Sequence, residues 1–323
     1  MIHGIGRGLL AGYLSTLIVC NPGSAWADGH GAPTSADAQP SRKGVDQTLS
    51  LIREASLALL KEGNQRYAAG QSRHPNQDAA RRSLTVSDGQ KPFASILACS
   101  DSRSPVEVIF DRGVGELFVI RVVGNVADET QIATIEYGVE HLGTPLLVVL
   151  GHTGCGAVGA ACKGGSLPGH LPALIRRIQP AVDKARAVAT TPERLIPTAI
   201  QANVWVQIEE VVFQSSIVRE KLKEGALQIV GGVYDLEKGS VSWLGAHPGL
   251  DGLIAKAELA EKEAALAQAA GGKSGNVTQD GPGDAPPAST QETPFRIQSL
   301  LPAHDVKART PAPKAAADEH PHH

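Results

Sequence analysis

Apolar residues along the chain fall into two alternating kinds of pattern. Short, mainly apolar runs cover residues 93–98, 117–123, 146–150 and 228–233, each short enough for a buried strand. Between them apolar positions recur at helical spacing, most clearly over 129–142 and 201–222. A further amphipathic helix is expected over 45–70, where Leu49, Ile52, Leu57 and Leu60 follow helical spacing and Gly70 closes the pattern. Strands alternating with helices predict an α/β fold, a mainly parallel sheet flanked by helices. The run 241–244 follows Val233-Tyr234-Asp235 across the turn Glu237-Lys238-Gly239, so it is expected to pair as an antiparallel edge strand.

The two ends read differently. Arg7, the apolar stretch 8–20, the breaker pair Asn21-Pro22 and the small-x-small triplet Ala25-Trp26-Ala27 have the form of a signal peptide over 1–27, cleaved after Ala27. Such a run falls short of the roughly 20 residues that span a bilayer. Val19 is also bulkier than the residue a lipoprotein signal carries before its cysteine, here Cys20. A periplasmic or secreted protein is therefore expected, with no stable membrane insertion after signal cleavage. Residues 28–44, rich in Gly, Ala, Pro, Ser and Asp, read as a disordered leader. The folded domain is expected over 45–250. Residues 251–323 begin as an Ala/Glu/Lys helix and pass into a low-complexity tail ending Asp318-Glu319-His320-Pro321-His322-His323. Those histidines fit either a metal-gathering end or a merely solvated one.

Composition narrows the function classes. The chain has 323 residues, 42% hydrophobic and 20% charged, enough for a sizeable core. A net charge of -3, scattered basic residues and 4% aromatics argue against nucleic acid as a partner. Loss of the signal peptide would leave Cys99, Cys155 and Cys162, an odd number that cannot all pair. There is no Cys-x-x-Cys for thioredoxin-like chemistry, and neither Cys99 nor Cys155 has the arginine spacing of a cysteine phosphatase. Cys162, after Ala160-Ala161 on an apolar helix face, is expected to be a small buried filler.

Two motifs follow two of the predicted strands: Cys99-Ser100-Asp101-Ser102-Arg103 after the first run, and Gly151-His152-Thr153-Gly154-Cys155-Gly156 after the third. Loops at the carboxyl ends of neighbouring parallel strands converge on one crevice. Together these offer two thiolates and an imidazole, a set that suits zinc, with Asp101 or a water for the fourth tetrahedral position. Taken singly, a cysteine ending an apolar run is commonly core and a histidine in a glycine-rich turn is commonly just a turn residue. Asp101 and Arg103 weigh against that reading, because charged groups beside an apolar strand end are costly without a purpose.

With these residues in place, the sequence over 49–244 resembles the β-carbonic anhydrases, whose signature Cys-x-Asp-x-Arg and His-x-x-Cys is intact here. The resemblance implies Zn2+ held by Cys99, His152 and Cys155, and reversible hydration of carbon dioxide to bicarbonate and a proton by attack of zinc-bound hydroxide. It implies Asp101 and Arg103 as a catalytic dyad, and Gln90, Phe118, Val123 and Tyr137 as lining of the carbon dioxide pocket, some of them from a neighbouring subunit. Asp101 would become a fourth ligand only in a closed, inactive form favoured at low pH. The implied assembly is a homodimer or a tetramer of dimers, with the N-terminal helix wrapping the partner. Ile96 stands where some bacterial members carry the Trp of a regulatory bicarbonate site, so that regulation is expected to be absent or weak. Val122 replaces the Asn of plant members. Alternatives are a carbon disulfide or carbonyl sulfide hydrolase on the same scaffold, and a periplasmic zinc-binding protein, which would not need the Asp101/Arg103 pair.

Overall fold

The computed structural model describes residues 42–271. The signal peptide, all but the end of the leader and the histidine-ended tail lie outside the described residues. The chain begins with helix α1 (Arg42–Ala68), then α2 (Ala79–Ser87), capped by Asp78, whose carboxylate accepts from the Arg81 amide at 2.7 Å. Strand β1 (Ala94–Ala98), a short α3 (Val106–Ile109), β2 (Leu117–Arg121) and α4 (Glu129–Glu136) follow. Next come β3 (Leu146–His152), α5 (Gly156–Lys163), α6 (Leu171–Val188), α7 (Pro192–Gln214) and α8 (Ser216–Lys223). Strands β4 (Gln228–Tyr234) and β5 (Val241–Gly245) and helix α9 (Leu250–Gly271) complete the order.

The five strands form one sheet in the order β2-β1-β3-β4-β5, with parallel pairing throughout except between β4 and β5. All five strand runs therefore lie where the apolar pattern puts them, the antiparallel edge included. Their alternation divides the core. Leu97, Leu147, Val149 and Ile229 pack beneath α4 to α8, whereas Ile96, Leu146, Val148 and Val230 pack with Leu60 of α1 and Val106 and Ile109 of α3. Ile96, where a Trp would serve the regulatory site, is wholly buried in the second of these layers. Helix α7 lies close over β3 and β4 because two strand positions are glycine: a Cβ on Gly151 or Gly231 would meet the Val204 side chain at 2.9 or 2.8 Å.

Five details differ from the sequence reading. The helix expected over 201–222 is two helices, α7 and α8, and α7 starts earlier, at Pro192, where a proline is tolerated in the first turn. They separate at Ser215, whose backbone is extended and whose hydroxyl caps α8 through the Val218 amide at 3.1 Å, an alternative to continuing the helix. The pattern over 129–142 is α-helical only to Glu136 and then makes a π-helical turn, Tyr137–His141. The Gly138 carbonyl there is taken by the amide and hydroxyl of Thr144 at 3.0 and 3.1 Å, which diverts it from the helical ladder. Helix α6 has no counterpart in the sequence reading. The helix expected from 251 belongs to the core at its start, since Ile254 and Ala257 are buried and Arg219 and Lys223 of α8 pair with Glu261 and Glu258. Cys162 is also corrected: it is half-buried at the edge of the core rather than a buried filler.

One ion pair anchors α1. Asp111, its side chain wholly buried, accepts from Arg66 Nε at 2.6 Å and from the amides of Arg73 and His74. Burial alone would raise the carboxyl's pKa, but Arg66 and the two amides lower it on balance. A carboxyl depressed in the folded chain contributes stability that is full above its unfolded value of about 3.9 and is lost as pH falls through the folded value. Asp111→Asn keeps the tolerance for the positive φ of 48° at this position. It should cost about 3 kcal/mol at neutral pH, the low end for breaking a buried pair, because Arg66 keeps some contact with water. Denaturant melts should show the gap between wild type and variant narrowing below about pH 4; a gap independent of pH would disprove the charge contribution.

Candidate metal centre

Cys99 lies directly beyond β1, His152 ends β3, and Cys155 stands at the start of α5, so the parallel pairing of β1 with β3 brings the two sequence motifs side by side. The Cys99 and Cys155 sulfurs and a His152 ring nitrogen lie within 4.8 Å of one another, and all three residues are buried. Tetrahedral zinc with bonds of about 2.0 to 2.3 Å holds its ligand atoms roughly 3.3 to 3.8 Å apart, so a small contraction would seat the ion.

The histidine is prepared for this. Its Nδ1 lies 2.9 Å from the Thr153 carbonyl oxygen, which can only accept, so Nδ1 carries the proton and Nε2 presents a lone pair. Nε2 is buried without a hydrogen-bond partner among the described residues, a costly arrangement for a protein-only core and a natural one for a ligand. The sulfurs agree. The hydrogen bond from Cys155 brings the Cys99 thiol down to about 4, against burial, with help from His152 and the amides of Asp101 and Gly124. Cys155 is held well above the ordinary thiol range, by that same hydrogen bond and by burial, while the amides of Ala157 and Val158 at the start of α5 oppose the rise. The pair thus shares one proton, which a divalent cation would displace in neutralising both thiolates. Burial works against a charged His152, yet the negative charge of the neighbouring Cys99 sulfur raises its pKa on balance. Two thiolates and one imidazole fit zinc.

Asp101 and Arg103 form a closed fork. Arg103 Nε donates to Asp101 Oδ1 at 2.9 Å and Nη2 to Oδ2 at 2.7 Å, and the Arg103 amide adds a third bond to Oδ1 at 3.0 Å. These bonds, the guanidinium's first, hold the carboxyl far below the usual carboxylate range. Asp101 Oδ2 stands 3.9 Å from His152 Nε2, beside the cluster but outside its three-ligand set.

The loop has further supports that the motif reading did not single out. Arg121, at the end of β2, donates from Nε to the Cys99 carbonyl at 3.0 Å and from Nη2 to the Asp101 carbonyl at 2.6 Å. The Gly124 amide donates to Cys99 Sγ at 3.3 Å. Gly124 has a φ of 72° and its added Cβ would meet Ile178 at 2.7 Å, so this close approach requires glycine. Neither role had a local sequence signal beyond the glycine itself.

The expected pocket residues are less gathered. Phe118 of β2 and Tyr137 stack with centroids 5.9 Å apart, and Val123 precedes the amide that reaches Cys99. Tyr137 and Val123 are nevertheless exposed, and Gln90 lies exposed between α2 and β1. Cavities of about 500 and 650 Å³ open instead between α8 and α9 and between α1 and β5, away from the cluster.

Residues 94–241 match the family model described as carbonic anhydrase. Carbonic anhydrase 2 of Mycobacterium tuberculosis is 39% identical over 189 residues, covering 57% of this chain and 89% of that protein. The carbonic anhydrase of Mycolicibacterium smegmatis is 36% identical over 199 residues, 60% of this chain and 94% of that protein. Among solved structures, a β-carbonic anhydrase of the fungal pathogen Aspergillus fumigatus superposes with a TM-score of 0.50 at 28% identity, covering 63% of this chain and 98% of that one.

Proposed function

This chain belongs to the β-class carbonic anhydrases, enzymes of zinc-dependent carbon dioxide hydration, and from that premise we propose how its own residues share the work. Cys99, His152 and Cys155 hold the zinc; the observation that carries this is their convergence, with His152 Nε2 buried and otherwise unpartnered. Zinc when bound supplies a Lewis acid that would lower a water's pKa to about 7. Asp101 Oδ2 accepts a hydrogen bond from the attacking water and so aims its lone pair, and Arg103 keeps that carboxylate ionised and turned to this task. Gln90, Phe118, Val123 and Tyr137 complete the carbon dioxide pocket when a second copy closes over them. The relatives named above are all carbonic anhydrases, which favours this reaction over hydrolysis of carbon disulfide or carbonyl sulfide and over zinc storage.

A homodimer, alone or paired further into tetramers, is supported by apolar side chains left open on the single chain: Leu51 of α1 is 59% exposed, and Val108, Val123 and Tyr137 are 43 to 48% exposed. The C-terminal half of α1 packs on its own sheet through Leu60, so only the N-terminal half, with Leu51, is free to wrap a partner. Export to the periplasm or beyond is supported by the signal pattern ending at Ala27, and among the described residues no helix is long and apolar enough to cross a membrane.

Stopped-flow hydration of carbon dioxide by the purified chain, with zinc and molar mass measured on the same sample, tests these points. We expect one zinc per chain, fast hydration and at least a dimer. Stoichiometric zinc without hydration would return the assignment to the storage protein, and an active monomer would remove the shared pocket.

A further inference from the structure

Near the metal centre, and hydrogen-bonded to none of its ligands, lies a buried polar pair on α7. Asn203 and Gln207 are four residues apart and therefore on one face of the helix. They are 1% and 0% exposed, and their neighbours on that helix are apolar: Ala199, Ile200, Val204 and Ile208 are all buried. Two amides placed in such a core cost several kcal/mol unless bonded, and every polar atom of these two has a partner. Asn203 Nδ2 donates to the Gly124 carbonyl at 2.8 Å, Gln207 Oε1 accepts from the Ala127 amide at 2.7 Å, and Gln207 Nε2 donates to Asn203 Oδ1 at 3.0 Å and to the Arg177 carbonyl at 3.3 Å. The backbone partners fix both amide orientations, because reversing either side chain would set donor against donor or acceptor against acceptor.

The segment they grip is the turn that serves Cys99. Gly124 and Asn125 are both left-handed, with φ of 72° and 46°, a region that glycine and asparagine tolerate best and that turns the chain sharply here. Asn203 holds the carbonyl of Gly124, the residue whose own amide donates to Cys99 Sγ at 3.3 Å. Gln207 holds the turn's far end at Ala127. Helix α7 is in turn seated by Val204 against Gly151 and Gly231, the first of which immediately precedes His152.

We propose that Asn203 and Gln207 are positioning residues of the metal centre: through the Gly124 carbonyl and the Ala127 amide they hold the Gly124 amide on the Cys99 sulfur, and so set that sulfur's strength as a zinc ligand. An N–H aimed at a thiolate stabilises its charge and orients its lone pairs, the part that outer partners play at metal sites generally. This rests on Cys99, His152 and Cys155 being the zinc ligands.

The test measures zinc affinity by competition with a chromophoric chelator, and the sulfur-to-metal charge-transfer band of the cobalt-substituted protein, for wild type, Asn203→Leu, Gln207→Met and Asn64→Leu. Asn64 is an equally buried amide that ties α1 to the Ile109 and Gly239 carbonyls and to the Val241 amide, with no bond to the turn. We expect Asn203→Leu and Gln207→Met each to weaken zinc binding, by about 10- to 100-fold for the first, and to shift the band. Asn64→Leu should lower thermal stability and change neither. Wild-type affinity and an unmoved band in the α7 variants would overturn the proposal, as would an equal loss of zinc in Asn64→Leu. Should Asn203→Leu fail to fold, Gln207→Met decides by the same two readouts. A wild-type protein that binds cobalt with no thiolate band would instead refute the ligand assignment on which the proposal stands.

Discussion

Cys99→Ser should lose both zinc and carbon dioxide hydration. The substitution trades a thiolate for a hydroxyl that does not ionise at neutral pH, so the site keeps one anionic ligand instead of two. It also leaves the Gly124 amide a neutral oxygen on a shorter bond in place of the sulfur it donates to, in a position only 4% exposed. Changing an outer partner at a metal site costs about 10- to 100-fold in affinity, so removing one of three protein ligands should exceed 100-fold. Stability reports the same event independently. A ligand that binds only the folded state adds about 4 kcal/mol at a thousand times its Kd, so a chelator should lower the wild-type Tm by several degrees and leave the variant's unmoved. If Cys99→Ser retained stoichiometric zinc and normal turnover, the metal would have to be held elsewhere.

Asp101→Asn should separate the reaction from the metal. The carboxylate lies 3.9 Å from His152 Nε2 and outside the three-ligand cluster, so zinc content should be preserved. What disappears is an anionic acceptor held by three bonds from Arg103, and with it the orientation of the attacking water; losses of about 10²- to 10⁴-fold in kcat are typical when such a group is removed. Arg103→Leu makes the complementary change. It releases Asp101 from the fork, allowing the carboxylate to swing onto the fourth position, so low activity with zinc retained is expected there too. Full turnover in Asp101→Asn would show that the carboxylate has no part in aiming the water.

Much of this was legible in the order of residues because it depends on neighbours in the chain. Strands of a largely buried sheet need mainly apolar runs, and the five runs became the five strands. The ligand types are chemical facts of Cys99, His152 and Cys155, and Asp101 and Arg103 are two residues apart, close enough for a local fork. The break at Ser215 and the π-helical turn at Tyr137 were not legible, because each is settled by a side chain bonding to backbone that periodicity alone does not register. Helix α6, with Pro172 and Pro180 within its pattern, was obscured by residues that usually end helices.

By itself, then, the sequence determined the α/β alternation, the strand set, the ligand types and the Asp101/Arg103 pair, since period, composition and short spacing are properties of a segment. Only the tertiary structure decided what crosses between segments. It seated α7 on Gly151 and Gly231, matched Asn203 and Gln207 to the turn at Gly124, brought Arg121 to the Cys99 carbonyl, and left the pocket residues open on a single chain. The reason is range: an amide bonded to a carbonyl 79 residues away leaves no mark on the local pattern of either segment.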